Sequence, residues 1–187
     1  MLVNEITTER NELALGSYSS GTLRDEDLIP VFMDLLAEVD AKQAKKLSWE
    51  YRKLLYYYTE ERIKPYSDEE VEDLNEQASY LINDVLFEAL GEYCPPYTYF
   101  GSHPGDGADF GVWVSDSIED DVRYGELVKI EDLAELDEML AECKIPKNVL
   151  LVNDHGNMTL YTQTAKLSDE DTEYTVIIDR EEVWSIV

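Results

Sequence analysis

The spacing of apolar residues changes character at Gly91, and this change constrains the fold more than any other feature of the sequence. Before Gly91, apolar residues recur every three or four positions, which is the period of an amphipathic helix. After it, short runs rich in Val, Ile, Tyr and Thr are separated by turn-forming residues, as in strands. Helices followed by strands are typical of an α+β fold. We therefore predict a helical part at 22–91, packed with a mixed or antiparallel sheet at 92–187 that carries one or two short helices.

The helical part is predicted to contain about three antiparallel helices. The first begins near Asp27, with Pro30 in its first turn, where a missing N–H is tolerated. The second runs over 41–63. The third runs over 67–91 and has the clearest signal, because Ser67 and Glu70 form a capping-box pattern. Residues 1–21 are predicted to be a flexible segment that ends in a Gly/Ser linker at 16–21, whereas 22–91 and 92–187 are expected to form one compact unit.

The Pro95-Pro96 pair marks the boundary between the helical part and the sheet part. An acidic helix is expected at 132–143, with Leu133, Leu136 and Met139 among its inward residues. The strands are expected at 97–101, 110–114, 126–130, 149–152, 159–164, 174–178 and 183–187.

Net charge limits the choice of partner. Forty-two acidic residues face fifteen basic ones, which gives −27 at pH 7. Residues 1–91 carry −11 and residues 92–187 carry −16, so the charge belongs to the folded body and not to a tail. Such a surface repels nucleic acids and anionic membranes and attracts basic clefts. High negative charge also keeps proteins soluble, and this simpler explanation stays open.

The sequence also indicates a reducing compartment. Cys94 and Cys143 form no C-x-x-C pair, and two cysteines do not make a disulfide framework. The first fifteen residues are rich in charge and lack the apolar stretch of a signal peptide. No run approaches the ~18 apolar residues of a membrane span. We expect a cytoplasmic protein without membrane contacts.

Acidic side chains line the solvent face of the predicted helix at 132–143, and a second acidic segment lies just upstream. Neighbours on one helix face stand ~5–6 Å apart, the same order as the ~3.4 Å spacing of phosphates along a duplex strand. This surface could imitate a phosphate track for a protein with a basic channel, although an ordinary solvated face gives the same pattern. The candidate partner-binding residues are Asp116, Glu119, Asp120, Asp121, Glu131, Asp132, Glu135, Glu138 and Glu142.

One basic cluster runs against the trend of the chain. Lys42, Lys45, Lys46 and Lys53 lie along the predicted second helix, together with Arg52 and the aromatic Trp49 and Tyr51. Such a cluster on an acidic protein is more often an intramolecular ion-pair surface. The alternative is a small nucleic-acid contact beside an acidic protein-binding face.

Two Gly-rich turns contain both histidines of the chain. The turn HPGDGAD at 103–109 offers His103, Asp106 and Asp109, and the turn NDHGN at 153–157 offers Asp154 and His155. If the turns met, these side chains could hold a divalent metal for a hydrolase. The simpler interpretation is structural: Asn, Asp and Gly form tight turns by bonding their own backbone, and glycines accept φ values forbidden to other residues. Under that interpretation, we expect positive φ at Gly105 and Gly107.

Catalytic and cofactor-binding motifs are not legible in the sequence. There is no G-x-S-x-G nucleophile elbow, no P-loop and no dinucleotide-binding glycine pattern. Cys94 lies between Tyr93 and Pro95, without a basic neighbour that would activate its thiol. We therefore expect no enzyme activity, no cofactor and no metal.

The second half of the chain resembles a family of small acidic proteins of bacteriophages and mobile elements. The motifs that carry this resemblance are 99–111 (YFGSHPGDGADFG), 125–129 (GELVK), 152–157 (VNDHGN), 160–161 (LY) and 184–187 (WSIV). Some members resemble anti-CRISPR proteins that inhibit type II RNA-guided nucleases. The resemblance implies a phage anti-defence protein acting in the bacterial cytoplasm, with the host nuclease as its partner. The weak DNA contact through the lysine cluster is an expectation from the basic residues themselves.

The expected function is therefore inhibition of an RNA-guided nuclease, by acidic mimicry of nucleic acid or by blocking DNA engagement or cleavage. Such nucleases hold nucleic acid in positively charged channels through its backbone, so an acidic protein can compete there. The alternatives are a metal-dependent hydrolase built on the two Gly-rich turns and a non-catalytic regulatory or structural phage protein.

Overall fold

A computed structural model of the chain describes residues 11–58, 66–141, 145–168 and 175–187. It confirms the α+β class, since the long helices precede residue 92 and most strands follow it. Contacts divide the chain into two compact units. The first unit holds the chain up to Cys94 together with Thr98–Trp113, and the second holds Pro95–Tyr97 and Val114–Val187. The division does not fall at Gly91, because the hairpin at 98–113 belongs with the helices.

All three predicted helical stretches are present in the first unit, although residues 59–63 of the second lie outside the described residues. Each stretch has an irregularity, which in the third is a π-helical turn at Leu81–Leu86. Ser67 and Glu70 form the predicted capping box. The predicted second helix is interrupted at Tyr51, where φ is −96° and ψ is 18°, and Pro30 lies in the second turn of its helix, because that helix starts two residues earlier than predicted. The elements up to Val114 are β1 (Gly16–Ser20), α1 (Asp25–Val39), α2 (Ala41–Glu50), α3 (Arg52–Tyr57), α4 (Asp68–Tyr80), a π-helical turn (Leu81–Leu86), α5 (Phe87–Gly91), β2 (Thr98–His103) and β3 (Asp106–Val114).

The prediction of a flexible linker at 16–21 is wrong. Gly16–Ser20 is strand β1, which pairs antiparallel with β3 at the edge of a three-stranded sheet in the order β1-β3-β2. The partner strand compensates for the weak local strand signal of GSYSS. Gly111 lets the Gly16 carbonyl approach closely, and the Ser17 hydroxyl donates a hydrogen bond to the Asp109 carboxylate. Residues 1–10 of the predicted flexible segment lie outside the described residues.

Four phenylalanines form the centre of the first unit's core. The Phe32 ring, which is fully buried, makes edge contacts with Phe87, Phe100 and Phe110 at centroid distances of 6.0, 5.2 and 5.7 Å. Such edge-to-face pairs add stability beyond the burial of apolar area. Because Phe100 and Phe110 come from β2 and β3, the aromatic cluster joins the hairpin to the helices and explains why the hairpin belongs to this unit.

The second unit is built on a four-stranded mixed sheet in the order β4-β5-β6-β7. β4 and β5 are parallel, and the other neighbours are antiparallel. The strands predicted at 174–178 and 183–187 are one continuous strand. The elements are α6 (Ser117–Tyr124), β4 (Val128–Ile130), α7 (Ala134–Ala141), β5 (Asn148–Val152), β6 (Met158–Ser168) and β7 (Thr175–Ile186).

Leu136 of helix α7 is fully buried and packs with Ile130 and Val149. The prediction that Leu133 also points inward is wrong, because α7 begins after it and its side chain is 38% exposed. In the described part of the chain, no helix has the length and apolar character needed to cross a membrane.

Candidate partner-binding surfaces

A groove in the second unit lies between helix α6 and the face of the sheet. Its volume is about 450 Å³. The first turn of α6 places Ile118 against it, and β5 and β6 contribute Leu150 and Met158, so most of the floor is apolar. The residues that line the groove are Val114, Ser115, Asp116, Ile118, Glu119, Val122, Lys129, Leu150, Val152 and Met158.

Charged side chains stand at the rim of this groove. Asp116 and Glu119, two of the predicted partner-binding residues, are exposed and line it together with the exposed Lys129. Carboxylates beside an apolar floor match the chemistry of arginine and lysine side chains, which have an apolar stem and a cationic end. The groove itself was not predicted, because its lining comes from segments up to 44 residues apart in the sequence.

The structure places the remaining acidic candidates outside the lining of the groove. Asp120 forms an ion pair with Arg123 at 2.8 Å, and Asp121 is half-buried. Glu131 and Asp132 are exposed in the turn before α7, and Glu138 is exposed on α7 itself. Glu142 lies outside the described residues. Within the described ranges, Asp120 is the only one of these candidates that forms an ion pair with a basic side chain.

Glu135 has a structural role that sequence reasoning missed. Its carboxylate accepts hydrogen bonds from the backbone N–H groups of Glu131 and Asp132, at 2.8 and 3.0 Å. The Asp132 carboxylate in turn accepts from the N–H of Ala134. This arrangement satisfies backbone donors at the start of α7, as in a capping box. The signal for this role in the sequence is an acidic residue, Asp132, followed three positions later by Glu.

The lysine cluster lies on the exposed sides of α2 and α3 in the first unit. Lys42, Lys45, Lys46 and Lys53 are all exposed. Among the described residues, no carboxylate lies within ion-pair distance of Lys45, Lys46 or Lys53. The interpretation of this cluster as an intramolecular ion-pair surface therefore has no support in the part of the chain that the structure describes.

The HPGDGAD segment is a tight hairpin and not a seven-residue loop. Only Pro104 and Gly105 lie between β2 and β3. His103 Nδ1 accepts the N–H of Gly105 at 3.0 Å, and the His103 ring stands edge-on to Trp113. Asp106 accepts the N–H of Ala108. The expected positive φ at Gly105 and Gly107 is wrong, because a turn stabilised by these side-chain acceptors does not need it.

The NDHGN turn joins β5 and β6, so it belongs to a different sheet and a different unit from the HPGDGAD turn. Asn153 Oδ1 accepts the N–H groups of both His155 and Asn157 at 3.0 Å, and Gly156 has a φ of 83°. These bonds confirm the structural interpretation of the turn. In the described ranges, no three His, Cys, Asp or Glu side chains cluster in a way that could hold a metal ion.

The chain matches no protein-family model, and no curated protein or solved structure is significantly similar to it.

Proposed function

We propose that this chain is a non-catalytic phage anti-defence protein that binds a type II RNA-guided CRISPR nuclease in the bacterial cytoplasm. The acidic surface of the second unit occupies part of the basic channel that otherwise holds DNA and so blocks DNA engagement or cleavage. The nuclease is suggested by the sequence resemblance in the two Gly-rich turns and the C-terminal strand. The class of partner, a protein with a basic nucleic-acid channel, is suggested by charge.

The groove beside α6 is the observation that carries this proposal. A basic channel is lined by arginine and lysine side chains that bind phosphate. At the groove, Asp116 and Glu119 supply carboxylates and the apolar floor supplies contact for the methylene stems. A purely solvated acidic face has no such floor. Two carboxylates that flank one guanidinium form charge-assisted hydrogen bonds, which are about twice as strong as neutral ones.

The hydrolase alternative finds no favourable observation in the described residues. Its five candidate side chains are divided between two sheets, and His103, Asp106 and Asp109 already make hydrogen bonds within their own sheet. A regulatory phage protein without a nuclease partner remains the alternative that the experiment below distinguishes.

Competition with DNA tests the proposal. Guide-loaded nuclease is titrated with labelled target DNA, with and without this protein, at low and at moderate salt. We expect the protein to weaken DNA binding, and the effect to fall with salt because the Debye length shortens. Glu119→Gln together with Asp116→Asn should reduce competition about tenfold or more, since removing partners of buried charged groups costs ~2–5 kcal/mol.

A matched control separates the effect of charge from the effect of position. Glu76→Gln together with Asp73→Asn removes the same charge from α4 in the first unit, where both side chains are exposed, and should leave competition unchanged. Glu138→Gln tests whether the contact reaches α7. Glu135 is avoided because its substitution would release backbone donors of α7. The proposal fails if target DNA and the protein bind the nuclease independently, or if the Asp73/Glu76 variant loses as much competition as the Asp116/Glu119 variant.

A further inference from the structure

Basic side chains and one tryptophan form a stripe along α2 and α3, which we call the basic stripe: Lys42, Lys45, Lys46, Trp49, Arg52 and Lys53. The helical hydrogen bonds run through the irregular residue Tyr51, because its N–H reaches the Leu47 carbonyl and its carbonyl accepts the N–H of Leu55. The two short helices therefore present these side chains at intervals of three and four residues, which places them on one face.

The opposite face of the same helices is buried in the core. Ala44, Leu47, Leu54 and Tyr57 are at most 8% exposed. Packing of this face fixes the orientation of both helices and leaves the basic stripe in solvent. From Lys42 to Lys53 the stripe is ~17 Å long, at about 1.5 Å per residue.

The basic stripe differs from the rest of the chain in its charge. Five of the fifteen basic residues of the chain fall within the twelve residues from Lys42 to Lys53, where Glu50 is the one acidic residue. Asp40, just before α2, uses one carboxylate oxygen to cap the N–H groups of Lys42 and Gln43 and the other to accept the Tyr93 hydroxyl. Three of the lysines have no ion-pair partner among the described residues, as noted above.

Trp49 supplies a flat apolar surface in the middle of these charges. Its side chain is 73% exposed, which is unusual for a residue that normally buries a large area. The Arg52 guanidinium lies 4.8 Å from the indole centroid and donates to the Trp49 carbonyl at 3.0 Å. These contacts hold the ring beside the charge of the stripe, while its high exposure leaves indole surface open to a ligand.

We propose that the basic stripe binds single-stranded nucleic acid, with the lysines on the phosphates and a base stacked on Trp49. Aromatic platforms beside basic side chains are the usual means of binding single strands, because every base has a flat face and every linkage has a charge. A duplex keeps its bases stacked on each other, so its interior base pairs offer no free face to the indole ring. This site lies in the first unit, whereas the groove beside α6 lies in the second, and it does not require the proposed nuclease partner.

The observations favour a strand over an anionic membrane. A single strand can bind to the stripe without touching the rest of the protein. Negative charges that lie more than ~8 Å from the strand are largely screened at physiological ionic strength. A membrane is an extended anionic plane, and a protein of net charge −27 is repelled by it. Interfacial helices also bury a broad apolar face in lipid, whereas here the apolar face of α2 and α3 is buried in the protein core.

Fluorescence anisotropy with labelled oligothymidylate tests the proposal, with oligouridylate, a duplex of matched length and vesicles of anionic phospholipid as parallel probes. We expect weak binding of both single strands. With three or four phosphate contacts, the slope of log K against log salt should be about −2 to −3. Binding of oligothymidylate should also quench Trp49 fluorescence, measured in a variant that carries Trp113→Phe and Trp184→Phe.

Two substitutions separate charge from stacking. Lys46→Glu should weaken binding about tenfold and reduce the salt slope by about 1. Its matched control is Lys147→Glu, the same change at an exposed site in the second unit, which should have no effect. Trp49→Ala should weaken binding about 5-fold to 100-fold, and Trp49→Phe should retain much of it, because phenylalanine still offers a flat face. Circular dichroism confirms that each variant is folded.

The proposal is overturned by any of three results. The first is that oligothymidylate does not bind at low salt. The second is that Lys46→Glu and Lys147→Glu have equal effects, which would mean that only net charge matters. The third is that vesicles or the duplex bind more tightly than the single strands, which would assign the stripe to a different class of partner.

Discussion

The first unit contains a packed cluster of aromatic rings, whereas the second contains a long strand ladder with a buried, hydrogen-bonded glutamine. In the first unit, the fully buried Phe32 ring contacts three other phenylalanines from α5, β2 and β3. In the second unit, β6 and β7 pair over their whole length. The buried Gln163 links this ladder to the preceding segment through the Pro146 carbonyl and to Arg180.

The two units also differ in how they carry charge. The first has the basic stripe, exposed on two helices whose other side is buried. The second has the groove beside α6, where exposed carboxylates border apolar side chains. Within one acidic chain, each unit thus presents a surface suited to a different charged partner. The following predictions test whether this contrast in stability and chemistry holds.

The largest effect is expected for Phe32→Ala. Removing the ring leaves a cavity bordered by three aromatic side chains, and Phe→Ala substitutions in cores cost ~3–5 kcal/mol of unfolding free energy. Hydrogen exchange measured by mass spectrometry should show faster exchange in α1, β2 and β3 than in β5 and β6. Equal acceleration in both units would mean that they unfold together, and the contrast in packing would then have no energetic consequence.

Gly111→Ala should destabilise the three-stranded sheet by ~1–3 kcal/mol or more. A Cβ atom at this position would collide with the Gly16 carbonyl oxygen and approach Trp113 to 2.9 Å. The matched control is Gly107→Ala in the same strand, which would meet no atom within 4 Å and has an ordinary φ. Thermal melts should separate the two variants. Similar melting temperatures would mean that β1 can leave the sheet at little cost.

Gln163→Leu should destabilise the second unit by ~1–3 kcal/mol, because buried polar groups would lose their partners. The side chain donates to the Pro146 carbonyl at 3.0 Å and accepts from Arg180 Nε at 3.1 Å. Thr164→Ala, at the next and exposed position of β6, should change stability by less than ~0.5 kcal/mol. Urea unfolding measures both variants. A neutral Gln163→Leu would show that packing dominates in the second unit too.

The smallest effect on stability is expected from ionisation of the Cys94 thiol. Burial raises the pKa of its thiol to about 11, and a hydrogen bond from Thr98 opposes this only in part. The thiol ionises more readily in the unfolded chain than in the folded one. The stabilisation that comes from keeping Cys94 neutral is therefore present in full below pH ~9, and it is lost as the pH rises through about 11. In a Cys143→Ser background, alkylation of the folded protein should be slow at pH 8 and accelerate toward pH 11. Fast alkylation at pH 8 would indicate an accessible thiolate.

Local patterns in the sequence determined most of the helices and most of the strands. The stripe that begins at the Ser67–Glu70 capping box predicted the third helical stretch, because capping and helical periodicity act within a few residues. The same is true of the NDHGN turn, in which Asn153 bonds its own neighbours. For the candidate surfaces, the sequence identified Asp116, Glu119 and the lysines, since charge is visible in composition.

Only the tertiary structure decided which of these residues act together. Strand β1 was hidden because GSYSS has a weak strand propensity of its own, and its pairing depends on the small Gly111 about 95 residues away in the chain. The groove was hidden because its floor comes from α6, β5 and β6. Glu135 and Glu138 look alike in sequence, yet one satisfies backbone donors and the other is free to meet a partner. Burial and hydrogen bonding between distant segments make these distinctions, and neither can be read from spacing along the chain.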